Sequence, residues 1–182
     1  MNNLKNNKDI AKRVVALVSA IYNLDDAVLV EFKNEDVFPN KEVTAFATSD
    51  FRVVYNIDRL KIAPDYELYI TSFHEMRHIY QRCCIEFGEK YPDTFNAPKE
   101  RIKQWEYEFK NYYVSPVEND EKYLRQDVEL DAISFAYFMM DLIFDAKVVL
   151  PDPIKDDAIK RAKEIEDSLS NNKYIKALKL NK

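Results

Sequence analysis

At 182 residues with 47% hydrophobic side chains, the chain suffices for one domain with a substantial core. Its net charge of −5 offers no basic field to a phosphate backbone, so nucleic acid is not expected as a partner. A single glycine in the whole sequence excludes P-loops and GxGxxG dinucleotide turns, and with them most nucleotide-dependent enzymes.

The first residues have the look of a secretory leader, a lysine-bearing start before VVALVSA. Against this, the apolar run is short, Asp9 precedes it, and Ile10, Val14, Leu17, Val18 and Ile21 follow helical spacing, which predicts an amphipathic helix instead. No stretch approaches the unbroken apolar length of a membrane span, so no membrane partner is expected. Residues 27 to 33, 42 to 48 and 51 to 57 are rich in Val, Phe, Thr and Tyr and are separated by polar breaks. They predict three short strands, the last two joined as a hairpin through Ser49 and Asp50.

From Tyr66 to Phe87 the period changes. Tyr69, Phe73, Met76, Tyr80, Cys83 and Phe87 recur at three- and four-residue steps, one face of a long helix. Gly88 follows at once and is placed for a left-handed helix end. Cys83 and Cys84, the only cysteines, are adjacent and fit neither a disulfide framework nor a CxxC metal knuckle. They suit a reducing, cytoplasmic location. Pro98 opens a helix over 98 to 113, and Ser115, Pro116 and Glu118 form a capping-box pattern before another helix over much of 117 to 146. Its section AISFAYFMMDLIF is apolar on nearly every side and should be central. A last amphipathic helix carries Ile154, Ala158, Ala162, Ile165 and Leu169, and residues 171 to 182 read as a flexible tail in which YIKALKL can still dock. The expected fold class is α+β: an N-terminal helix and a small three-stranded sheet packed on the 66–87 helix, then a mainly helical C-terminal part, forming a single domain over 1 to 170.

The chemistry concentrates in HEMRH. His74 and His78 are the only histidines, and four residues apart on a helix they stack on one face and can aim ring nitrogens at one point. Zinc accepts neutral imidazole and, in catalytic sites, takes three protein ligands while leaving a position for water. Glu75, rotated about 100° around the axis from His74, can flank such an ion and take a proton from the water that zinc acidifies. A lone histidine on a helix is ordinarily just packed or solvated. Here the pair contains every histidine and falls in a helix assigned independently from its apolar period. With no histidine left and both cysteines too near along the same helix, the third ligand should be a carboxylate. Asp127, Glu129 and Asp131 in RQDVELDAISFA are the candidates.

HEMRHIYQ followed by ELDAISFA resembles the gluzincin branch of the zincin metallopeptidases, in particular the small ImmA/IrrE-like and minigluzincin proteins of bacteria, phages and mobile elements. The resemblance covers residues 51 to 140. In that family an HExxH helix is followed by a helix with a motif close to ExEAxxFA. Glu129 then matches the ligand glutamate, Asp131 the second acidic position, Ala132 the alanine, and Phe135 and Ala136 the FA pair. It implies a zincin-like fold, a Zn2+ cofactor on His74, His78 and Glu129, and Glu75 as general base of a peptidase acting on a peptide or protein substrate. Asp131 either orients a histidine or takes the ligand role itself. Two departures stand out. Fifty residues lie between His78 and Glu129, including an aromatic insert over 89 to 116, and Ile133 stands where many relatives carry Asn or Asp.

The resemblance also implies a substrate laid along an edge strand beside the active helix, for which Val53, Val54, Tyr55 and Asn56 of FRVVYNI are the expected residues. An oxyanion donor is needed as well, and Tyr107, Tyr112, Tyr113 and Tyr123 are all available. The expected function is therefore a cytoplasmic zinc-dependent peptidase. The alternatives are a catalytically inactive zincin-fold binding or regulatory protein of a mobile element, and a structural accessory protein. Oligomeric state is not legible.

Overall fold

The computed structural model describes residues 2–24, 28–115 and 120–180. It is an α+β protein whose described elements are eight α-helices, two short 3-10 turns and one three-stranded mixed sheet. The chain forms two compact units, Met1–Ile79 and Tyr80–Lys182, and the point of division falls inside one continuous helix.

The first unit opens with α1 (Asn2–Tyr22), whose Ile10, Val14, Val18 and Ile21 are buried as their spacing predicts. Asn7 lies on the same buried side at 0% exposure and donates to the carbonyls of Leu60 and Ala63 at 2.8 and 3.0 Å. Those bonds offset the ~1–3 kcal/mol that a bare buried amide would cost. The strands are β1 (Leu29–Lys33), β2 (Ala45–Ala47) and β3 (Arg52–Asn56). The expected hairpin forms: β2 pairs antiparallel with β3, Thr48 N–H donates to the Arg52 carbonyl at 2.8 Å, and Thr48 Oγ1 donates to Asp50 Oδ1 at 2.6 Å. Phe51, at φ 60°, holds the left-handed corner that such loops ordinarily give to glycine.

The sheet order corrects one expectation. β3 lies between β1, which pairs with it in parallel, and β2, so it is the middle strand and not an edge. Val53, Val54, Tyr55 and Asn56 are 0–4% exposed, and their backbone groups serve both neighbours. Alternation of apolar residues marks a strand but does not say which strands flank it. Asn56 also has a local role: its side-chain oxygen caps α2 (Ile57–Ile62) by accepting from the backbone of Asp58 and Arg59.

Pro64 ends α2's continuation and starts α3 (Asp65–Phe87), where Asp65 and Glu67 complement the positive helix end. In the first unit α3 is fastened by the Tyr55 hydroxyl, which donates to Ser72 Oγ at 2.8 Å, and by Thr44 Oγ1, which donates to Glu67 at 3.0 Å. Gly88 follows α3 as expected, yet its φ is not in the left-handed region. It is needed for space instead, since an added Cβ would collide with the Cys84 carbonyl. Cys83 and Cys84 are free and buried, and burial raises the Cys83 thiol to about 12.

The second unit holds α4 (Lys99–Lys110), α5 (Glu121–Leu124), α6 (Asp127–Phe144), α7 (Lys155–Ser168) and α8 (Lys173–Leu180). One helix was expected over much of 117 to 146; two are present, broken at Arg125–Gln126. Pro116, Val117 and Glu118 of the expected capping box lie outside the described residues. Most of α6 is buried, Val128, Ala132, Phe135 and Met139 fully so, while Leu130, Ile133 and Tyr137 along one face are only partly buried. Leu124, Leu150, Ile154 and Ala158 form a local core beneath α5 and α7. Where a loose tail was expected, α8 forms and Ile175 is fully buried, so YIKALKL docks. Among the described residues no helix is long and apolar enough to cross a membrane.

Candidate metal centre

Helix α3 carries the first two donors. His74 and His78, one turn apart, present Nε2 atoms 3.0 Å from each other with their rings nearly perpendicular, at 87°. Two nitrogens bound to one zinc at 2.0–2.1 Å and a tetrahedral angle lie roughly 3.3 Å apart, so the observed spacing suits a shared cation within a few tenths of an ångström. His78 is buried and His74 half-buried.

Glu129, in the first turn of α6 where the helix end favours negative charge, is the third candidate donor. His74, His78 and Glu129 each offer one ligand atom, and these atoms all lie within 4.8 Å of one another. Neutral imidazoles with one carboxylate form a donor set that zinc accepts, so the residues present fit the group that the motif implies. Glu129 is 0% exposed and both of its oxygens are occupied: Tyr112 Oη donates to Oε1 at 2.6 Å and Tyr123 Oη to Oε2 at 2.7 Å. Burial, and then the charge of Glu129, hold the Tyr112 phenol far above its ordinary pKa, so it remains a donor.

The other two acidic candidates have different partners. Asp131, also 0% exposed, accepts from Gln81 Nε2 at 3.0 Å and from Arg161 Nη1 at 3.2 Å. Asp127 accepts from Arg161 Nη2 at 2.7 Å. Both carboxylates are engaged by one guanidinium that is itself largely buried. Gln81, three residues beyond His78, donates to the Val128 carbonyl at 2.9 Å as well as to Asp131, and so fastens the start of α6 on either side of Glu129. Glu108 of α4 accepts from Val128 N–H at 2.9 Å and caps that same helix end.

Glu75 is buried, and its Oε2 accepts the backbone N–H of Ala47 in β2 at 2.8 Å. That bond also fixes the direction of the strand. Thr44 and Thr48 turn their backbone groups to β3, so by alternation Ala45 and Ala47 turn theirs away from it. The edge strand that Glu75 touches is therefore β2. Arg77, within the motif, is buried and donates to the Tyr22 hydroxyl at 2.5 Å while lying over its ring.

Of the four tyrosines considered as oxyanion donors, Tyr112 and Tyr123 are committed to Glu129, Tyr113 donates to Asp120 at 2.9 Å, and Tyr107 is largely exposed. Sequence reading did not single out Gln81, Glu108 or Ala47. Only Gln81 had a positional signal, on the turn after His78. No protein-family model matches the chain, and neither curated proteins nor solved structures give a match.

Proposed function

We propose that this protein is a zinc-dependent peptidase of gluzincin type. The observation that carries the reading is the convergence of His74, His78 and Glu129 ligand atoms within 4.8 Å, with Glu75 adjacent in sequence to the first of them and held at a sheet edge. A divalent cation held by these three side chains supplies Lewis acidity, polarising a carbonyl and lowering the pKa of water from 15.7 to about 7.

The chain's own groups account for the remaining requirements. An extended peptide adds along the edge strand β2, where the outward Ala47 carbonyl accepts from it while the Ala47 N–H stays with Glu75. Glu75 accepts the proton of the attacking water and delivers it to the leaving nitrogen as the C–N bond breaks, acting first as base and then as acid. Its bond to Ala47 N–H keeps the carboxylate beside the strand on which the peptide lies. Tyr112 and Tyr123 keep the ligand carboxylate in place.

The test is turnover of a mixed peptide library by the zinc-loaded wild type and by Glu75→Gln. The expected result is cleavage by the wild type, a loss of about 10²–10⁴-fold in the variant, and equal zinc content in both. Equal inertness of the two proteins with zinc bound would leave a catalytically silent binding protein as the better reading.

A further inference from the structure

The segment between the two ligand-bearing helices places two phenols on one carboxylate. Tyr112 follows the end of α4 and Tyr123 lies in α5. They reach different oxygens of Glu129, at 2.6 and 2.7 Å, and their own hydroxyls are 3.2 Å apart. Core packing does not account for this placement, since Tyr112 keeps 38% of its surface exposed while its hydroxyl is turned to a fully buried acid. The backbone that carries the pair is fixed by its own bonds. Gln126 accepts from Tyr113 N–H at 2.8 Å and donates to the Tyr113 carbonyl at 3.0 Å. Asp120 accepts from Ser115 and Tyr113 hydroxyls and caps the turn that bears Tyr123.

Resting on the metal reading above, we infer that Tyr112 and Tyr123 are positioning residues of the metal centre, clamping Glu129 by one oxygen each so that the carboxylate meets the cation in a fixed plane. An ionised carboxylate has about four acceptor directions. Two phenols, one on each oxygen, remove the rotation that a carboxylate with one donor retains. Partners of this kind, behind a ligand, are worth 10–100-fold in metal affinity. The aromatic insert is thereby part of the centre's construction.

The test is a double-mutant cycle in the full-length protein, with zinc affinity read by competition against a chromophoric chelator. Tyr112→Phe and Tyr123→Phe keep the rings and remove only the donors; each is expected to weaken zinc binding about tenfold. In a Glu129→Ala background the same changes are expected to move the affinity by less than about twofold, because the group they act through is gone. Cobalt loaded in place of zinc should show an altered visible spectrum in Tyr112→Phe. Equal losses in both backgrounds, or no loss beside Glu129, overturns the inference. If Tyr123→Phe does not fold, as judged by urea unfolding without metal, the half-exposed Tyr112→Phe decides alone. A wild type that binds no zinc overturns the metal reading itself, which is distinct from a wild type that binds zinc while both Phe variants bind it equally well.

Discussion

The Glu75 carboxylate takes the N–H of Ala47 at 2.8 Å, so the group proposed as acid and base is tied to the edge strand of the sheet. Because that N–H points away from β3, proline at position 47 removes the bond without removing a rung of the ladder, and proline is tolerated on edge strands. Ala47→Pro should keep its zinc, lose about 1–3 kcal/mol of stability in urea unfolding, and lower kcat/KM about tenfold or more. Ala47→Gly, which retains the N–H, should stay close to wild type in kcat/KM. Identical kinetics for the two variants would remove Ala47 N–H from the account.

Arg161 spans Asp127 and Asp131 at 2.7 and 3.2 Å, with Asp131 fully buried. Breaking a buried pair on one side leaves an uncompensated charge and costs about 3–5 kcal/mol. Arg161→Ala should therefore be strongly destabilised at pH 7, whereas its zinc content per folded chain should match wild type. A loss of zinc with the fold retained would instead make Asp127 or Asp131 part of the centre.

Asp120 has a carboxyl held below its ordinary range by the Ser115 hydroxyl, then by the Tyr113 hydroxyl. A depressed folded pKa contributes stability that is present above the unfolded value near 3.9 and lost as pH falls through the folded value. Asparagine caps helices as well as aspartate does, so Asp120→Asn isolates the charge. The urea midpoint of the wild type should exceed that of Asp120→Asn from neutral pH down to about 5, and the two should converge as the pH drops below about 4. A gap that widens in acid would contradict the assignment.

Much of this arrangement was legible in the residues, for identifiable reasons. HEMRH sits in α3 because apolar residues at helical spacing on both sides of it define that helix, and Gly88 follows its end for want of room. The order of the strands was not legible. FRVVYNI is fully apolar on one face whether it is central or at an edge, and its central place depends on a parallel partner, β1, more than twenty residues earlier. The separation of Glu129 from Asp131 was likewise hidden, because it depends on Arg161 some thirty residues later. The tyrosines were visible as a group, but their division into two that serve Glu129 and one that serves Asp120 follows from where α5 and α6 break, beside residues whose propensities alone suggest one helix.

The central claim is that His74, His78 and Glu129 together hold one divalent cation. The most direct test is metal content per chain after saturation with zinc and removal of the excess, for wild type, His78→Ala and Glu129→Ala. The account predicts about one zinc per wild-type chain and a large loss in both variants while each remains folded. Full content in Glu129→Ala, or an unchanged value in His78→Ala, would contradict it.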